Sequence, residues 1–528
     1  MTIGAISTHF TGLDWAVVVA YMLLTTWIGH LLSGKNATIR DFFLGGRTLP
    51  WWAVCGSMLA TEISALTFIA VPGGVFALKG DWTYLQWGIG SMIARFAVAY
   101  WLVPLYFRNE IYSPYDYMGA KLGEGVRRLV TVLFSLGAIL GQSVRVLVTA
   151  IILQTVTGLS MSVCIIAIGA FAVVWTLMGG MRTVIWTDVI QFGVFMFGGI
   201  LALGWLVGNI GWDSMVDINR HVIGPDGLVD KMRIFDFTAP WDNPMLEYTF
   251  WVGVIAMPFQ NFTAFGTDQL NAQRIFCCGN EHDAKKAMAW SSVSMIITIL
   301  MLAVGSGLFA WYKTHGLSVD EAAKFAEDSN YVFPVWITTV LPPGITGLIL
   351  AGAFAAAISS LDSVLAALSQ TTLSAWYGRE KLEHEGSGPA MVLQSRLAVF
   401  VWAVILSGVA IILSKIYEKT HEKNLIDLAF GMIAYTYGPL LGVLLCAILP
   451  GKRYLGGLIA GVCLSVLLVV WARPELDHLA ALLHLKDALQ AAAAWRPHFA
   501  FPWFYPINAA ITFGFACIPF GRRLSGKS

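Results

Sequence analysis

Residues Ile349-Leu-Ala-Gly-Ala-Phe-Ala-Ala-Ala-Ile-Ser-Ser-Leu-Asp-Ser-Val-Leu-Ala-Ala-Leu368 decide how this chain is read. The stretch is apolar and long enough to cross a bilayer, for which about 20 residues suffice. Yet its middle carries Ser359, Ser360, Asp362 and Ser363, polar groups that are costly in hydrocarbon without partners. Ala356, Ser359 and Ser360 stand at i, i+3 and i+4, one face of a helix. Two readings fit such a face. Small residues let helices approach closely, and hydroxyls and carbonyls offer oxygens to a hard cation such as sodium.

The same apolar character runs from end to end. Of 528 residues, 57% are hydrophobic and 12% are charged, against about 25% charged in soluble domains. Thirteen candidate spans lie at about 13–33, 50–77, 82–107, 128–156, 160–180, 184–208, 246–270, 286–312, 343–377, 391–414, 425–448, 454–472 and 503–520. The expectation is an all-α polytopic membrane protein, with residues 1–528 forming one transmembrane domain. A net charge of +1 gives no electrostatic footprint for a nucleic-acid partner. The partners expected are a lipid bilayer, an ion and a small solute, with the chain a monomer or weak homo-oligomer.

Lys and Arg set the orientation. None precedes the first span, whereas Lys35, Arg40 and Arg47 follow it. That places the N-terminus outside and, after thirteen crossings, the C-terminus in the cytoplasm of a cell whose (inner) membrane holds the protein. Counted this way, 19 Lys and Arg fall inside and 12 outside, with Arg95 and Arg145 within spans. The first span lacks a basic leader and a small-residue cleavage site, so no removable signal peptide is expected. Seven cysteines form no CxxC pair and read as apolar fillers. The outer stretches 209–245 and 313–342 read as surface covers, and 474–494 as a helix along the membrane.

Two spans are interrupted. The second contains Met58-Leu-Ala-Thr-Glu-Ile-Ser-Ala-Leu-Thr-Phe68, where Glu62 demands a helix that breaks and lines a cavity. The seventh carries Pro258, Gly266 and Asp268. These spans hold corresponding places in two five-span sets, about 50–208 and 246–448. Matched broken helices point to an inverted-repeat transporter with a midplane site. The spans at 13–33, 454–472 and 503–520 are then peripheral.

Five motifs in order carry a family resemblance: Phe42-Phe-Leu-Gly-Gly-Arg-Thr-Leu-Pro-Trp-Trp52, Ile111-Tyr-Ser-Pro-Tyr115, Gly179-Gly-Met-Arg-Thr-Val-Ile-Trp-Thr-Asp188, Gly266-Thr-Asp-Gln-Leu-Asn-Ala-Gln-Arg274 and Ala356-Ala-Ile-Ser-Ser-Leu361. Over about residues 13–450 the chain resembles the sodium/solute symporters, which include glucose, proline and sialic acid carriers. The resemblance implies a leucine-transporter-like fold of ten core helices in two inverted repeats. It implies a sodium site built from carbonyls of Ala60, Ile63 and Ala356 and hydroxyls of Ser359 and Ser360. Asp188 matches an acidic residue near that site, where it tunes the ion or completes a second site. Sodium is the only cofactor implied.

The resemblance also places a solute site beside the two breaks. It nominates Thr61, Glu62, Ser64, Thr67, Gln86, Arg145, Asn261, Phe265 and Asp268. The chain departs from the sugar carriers at Glu62, Leu66 and Thr67, and at Ala264 where a tyrosine gate is usual. Arg145, mid-span in Gly141-Gln-Ser-Val-Arg-Val-Leu-Val-Thr149, lies near a carboxylate-binding arginine of the sialic acid carriers. A guanidinium suits a carboxylate's two oxygens. Equally, Glu62 or Asp268 can neutralise it, and these three charges together favour a neutral or cationic solute. Arg95 reads as structural or gating. Asp362 joins a second ion site or bonds a neighbouring helix.

Other classes fit less well. There is no HExxH, GxSxG elbow or Walker loop, so an enzyme or ATP-driven pump is not expected. The function expected is sodium-coupled symport, importing a small polar organic solute, an organic acid or sugar derivative, by alternating access. The alternative is a non-transporting solute sensor or a sodium-gated channel-like protein of the same fold. No signalling domain is expected after the last span.

Overall fold

The computed structural model describes residues 9–32, 45–109, 111, 113–177, 181–224, 227–377, 389–419, 424–473 and 496–524. Lys35, Arg40, the 474–494 stretch and parts of three motifs (Phe42–Leu44, Tyr112, Gly179-Gly180) lie outside these residues.

The described chain is almost wholly helical, as its apolar runs require. α1 (Gly12–Leu32) precedes two sets of helices. The first set holds α2 (Trp51–Glu62) and α3 (Ala65–Phe76), α4 (Thr83–Arg108), α5 (Pro114–Leu122), α6 (Glu124–Thr157), α7 (Met161–Thr176) and α8 (Met181–Ile210). A short helix α9 (Trp212–Arg220) and a two-stranded hairpin, Val222–Gly224 with Gly227–Val229, follow. The second set holds α10 (Met257–Gly266) and α11 (Gln269–Ile275), α12 (Glu281–His315), the cover helices α13 (Val319–Glu327) and α14 (Val332–Val340), α15 (Ile345–Tyr377), α16 (Pro389–Lys419) and α17 (Leu425–Ile448). α18 (Leu455–Ala472) and α19 (Phe504–Cys517) pack together against α17.

Among the described residues nine helices are long and apolar enough to span a membrane, and α2 with α3 makes a tenth if counted as one bent span. The remaining expected spans coincide with the shorter helices α7, α10 with α11, and α19, so length alone does not establish thirteen crossings. Large apolar side chains such as Leu23, Trp27, Phe197 and Phe400 point outward from the bundle. In water that surface is a liability, and in lipid it is solvated. Five of the seven cysteines are buried, while Cys463 and Cys517 lie exposed on the outermost helices.

Polar groups hold the bundle at particular points. Asp14 of α1 accepts hydrogen bonds from the amides of Gly344 (2.7 Å) and Gly347 (2.8 Å), which fixes α1 to the start of α15. These amides belong to the donors that a helix N-terminus leaves open. Lys231, fully buried in the 209–245 cover, does the converse for α3. Its Nζ donates to the carbonyls of Val75 (2.7 Å), Ala77 (2.6 Å) and Gly80 (2.9 Å), just where α3 ends. A cation belongs at that end of a helix. Lys231→Met is therefore expected to lower the unfolding temperature of the purified protein, at a cost of about 1–3 kcal/mol for carbonyls left without donors. An unchanged melting curve for that variant would show the cover to be passive.

Candidate functional site

The second span breaks where the sequence places its polar residues. α2 stops at Glu62 because Ile63 (φ −74°, ψ 118°) and Ser64 (φ −129°, ψ 177°) are extended. Ser64 then caps α3, its Oγ accepting from the Leu66 amide at 3.2 Å. The two halves meet at 54°. An unwound segment frees carbonyls that a continuous helix would bond. Among the described residues, the carbonyls of Ala60, Glu62 and Ile63 accept no hydrogen bond. The seventh span repeats the device. α10 ends at Gly266, and extended Asp268 (φ −72°, ψ 126°) caps α11 by accepting from the Leu270 amide at 2.9 Å.

Helix α15 lies against the first break. The Ser360 hydroxyl sits 3.5 Å from the Thr61 carbonyl and 3.2 Å from that of Ala356. Ser360 and Ala356 thus stand against the end of α2, where the first break begins. Ser359 turns elsewhere: its hydroxyl donates to Asp188 of α8 at 2.5 Å.

Asp188 is the centre of a closed buried network. Its Oδ2 accepts from Ser57 (2.5 Å) and from Arg274 Nη2 (3.0 Å). Arg274 also donates to Ser57 Oγ (2.8 Å), Ser363 Oγ (2.5 Å) and the Leu270 carbonyl (2.6 Å). Both members of this ion pair are essentially inaccessible. Asp362, next to it, accepts from Ser363 Oγ at 3.1 Å and has no ion pair among the described residues.

A cavity of about 160 Å³ opens beside the two breaks. Of the nine nominated solute residues, Thr61, Glu62, Thr67, Arg145, Asn261, Phe265 and Asp268 line it. Ser64 and Gln86 do not. Ser64 serves as the cap just described, and Gln86 ties α4 to the outer cover by bonds to Thr83 and Tyr248 carbonyls (both 3.1 Å) and from the Asp236 amide (3.1 Å). A polar residue at the mouth of a span serves loop attachment as readily as a ligand, and sequence does not separate the two. The lining also holds Tyr84, Gln142, Gln260 and Tyr437, which were not nominated. Gln142 had a readable signal, since it lies three residues before Arg145 on the same helical face.

The charges pair differently from either expected neutralisation of Arg145. Glu62 forms its ion pair with Arg95, which is buried, lies 4.0 Å from the centre of the Phe265 ring, and donates to Ser91 (3.1 Å), Ser291 and Ser294 (3.2 Å). Asp268 accepts from the Tyr437 hydroxyl at 2.6 Å. Arg145 has no ion pair among the described residues; its Nη1 donates to the Thr61 carbonyl (3.1 Å) and approaches Ser360 Oγ (3.4 Å). The three-charge count was incomplete because it omitted Arg95, which cancels Glu62.

Comparison with known proteins bears on this geometry. The model of the sodium:solute symporter family matches residues 42–463, most of the chain. The chain belongs to the sodium:solute symporter family. It is a multi-pass membrane transporter coupled to sodium, and not an enzyme. The sodium/sialic acid symporter SiaT of Proteus mirabilis is 28% identical over 88% of this chain and 90% of its own length. The sodium-coupled monocarboxylate transporter 1 of Xenopus laevis is 27% identical over 87% of this chain and 72% of its own. Among solved structures, a sodium-coupled sialic acid symporter in a substrate-bound outward-open state superposes with a TM-score of 0.78 at 24% identity, covering 98% of this chain and all of the other. That likeness shows the leucine-transporter-like fold of the symporter.

Proposed function

We propose that this symporter imports a small carboxylate together with sodium, and that Arg145 holds the carboxylate. The observation that carries the reading is the charge pattern of the cavity. Glu62 and Arg95 satisfy each other, and Asp268 is satisfied by Tyr437 and an amide. The Arg145 guanidinium lines the cavity with no ion-pair partner among the described residues. A cation left without an ion pair at the wall of a membrane-embedded cavity calls for an anion, and its planar fork matches a carboxylate. Carboxylate solutes named for two relatives, sialic acid and monocarboxylates, agree with it.

In this reading, sodium sits on the carbonyls of Ala60, Ile63 and Ala356 and the hydroxyls of Ser359 and Ser360, with Asp188 behind it. The solute contacts Thr61, Glu62, Thr67, Asn261, Phe265 and Asp268 around Arg145, while Ser64 and Gln86 act from outside the cavity. The single domain rocks about the two breaks, with its N-terminus outside and its C-terminus in the cytoplasm. A cavity of about 160 Å³ holds on the order of ten water-sized sites at ~10–15 Å³ each, which suits a small solute.

The test is uptake of labelled monocarboxylates and sialic acid into proteoliposomes under an inward sodium gradient. Arg145→Lys keeps the charge and loses the fork. It is expected to cut carboxylate uptake more than tenfold, from about 1.5–3 kcal/mol for a charged hydrogen bond, while sodium still binds. Carboxylate uptake undiminished in that variant, or accumulation of neutral solutes only, refutes the assignment.

A further inference from the structure

Arg145 touches the wrong ligand for a residue that only binds solute. Its Nη1 is placed on the Thr61 carbonyl at 3.1 Å and near Ser360 Oγ at 3.4 Å. Thr61 lies in the last turn of α2, just before the break at Ile63 and Ser64, and Ser360 is one of the hydroxyls assigned to sodium in the reading above. The remaining guanidinium nitrogens, Nε and Nη2, have no protein partner among the described residues, and the side chain is only partly buried at the cavity wall.

No acid forms an ion pair with this cation among the described residues. Glu62 is taken by Arg95, Asp268 by Tyr437 and the Leu270 amide, and both oxygens of Asp188 by Ser57, Ser359 and Arg274. A sodium ion arriving at Ser360 therefore meets a positive charge already engaged with the same oxygen and with a carbonyl of the same break. Like charges at such separations repel strongly where water is scarce.

We propose that Arg145 couples the two ligands: in the empty transporter its guanidinium occupies the edge of the sodium site through Thr61 and Ser360, and a bound carboxylate neutralises it and draws it off. The release half of this rests on the carboxylate reading above; the competition half does not. The arrangement makes solute and sodium favour each other with no further moving part. Reciprocity follows, because whatever factor the carboxylate adds to sodium affinity, sodium adds to carboxylate affinity.

The consequence is unusual for a solute-binding residue, since removing its charge strengthens sodium binding. The measurement is sodium affinity by calorimetry on the full-length protein in nanodiscs, with choline as the replacement cation. It compares wild type, Arg145→Gln and Arg145→Lys, each without solute and with saturating acetate as its choline salt. Without solute, Arg145→Gln is expected to bind sodium about tenfold more tightly than wild type, within the usual range of site-to-site coupling. Arg145→Lys, still cationic, stays within about threefold of wild type. Acetate is expected to tighten sodium binding to wild type and to leave Arg145→Gln unmoved. If Arg145→Gln binds sodium equally or more weakly without solute, the competition does not exist and the inference is overturned, whatever acetate does. If that variant binds more tightly but acetate has no effect on wild type, the competition stands and the carboxylate reading fails. Should Arg145→Gln not fold, Arg145→Met gives the same neutral comparison.

Discussion

Arg274→Met is expected to destabilise the protein by about 3–5 kcal/mol, and adding Asp188→Asn to restore most of that loss. Both groups are essentially inaccessible, and Arg274 is the only cation that pairs with Asp188 among the described residues. Removing the guanidinium strands a carboxylate in the bundle interior, where only the Ser57 and Ser359 hydroxyls remain to solvate it. Neutralising the acid as well removes the stranded charge. Asparagine keeps an oxygen for those hydroxyls, and Ser363, though it loses the guanidinium as a donor, keeps its own bond to the Ser359 carbonyl. The measurement is a double-mutant cycle of unfolding temperatures for the four proteins in sodium-free detergent. Two single effects that simply add in the double variant would mean that the two groups do not sense each other, because neighbours in one network show coupling of ~0.5–3 kcal/mol. The same cycle applied to Arg145 with Glu62 is expected to be additive, since Glu62 pairs with Arg95 instead.

These pairings mark where sequence reading reaches its limit. The broken second span was legible because a carboxylate and three hydroxyl-bearing residues within eleven positions contradict a continuous helix in lipid, and the 54° bend lies at that point. The convergence of Ala356 and Ser360 on the break followed from helical spacing and family likeness together. The partners of the charges did not follow. Glu62 and Arg95 are 33 residues apart on different helices, and Asp188 and Arg274 are 86 apart in different repeats. Helical periodicity says which face a side chain occupies, and nothing about which of several inward-facing acids a given arginine meets. Arg274 stood in a quoted motif with no role attached. Its partner is fixed by how α11, α2 and α15 pack around α8, a tertiary matter. Gln86 and Ser64 failed to reach the cavity for a related reason: a polar side chain near a helix end has backbone groups of its own to satisfy.

Ser360→Ala is expected to weaken sodium affinity about tenfold to a hundredfold, from ~1.5–3 kcal/mol for a hydrogen-bonding group facing a charge. The neighbouring serine gives the control. Ser360 faces the break, 3.5 Å from the Thr61 carbonyl, whereas Ser359 is committed to Asp188 at 2.5 Å. Ser359→Ala therefore withdraws a donor from the buried acid, and its expected signature is a lowered unfolding temperature with a smaller change in sodium affinity. The two variants should differ in kind: one moves the sodium titration at nearly constant stability, and the other moves stability first. Sodium titrations of intrinsic tryptophan fluorescence, run beside thermal melts of the same samples, separate the two. A Ser360→Ala protein with wild-type sodium dependence would falsify the sodium site at this break. It would also remove the reason for Arg145 to compete there, so this variant tests the common footing of both proposals.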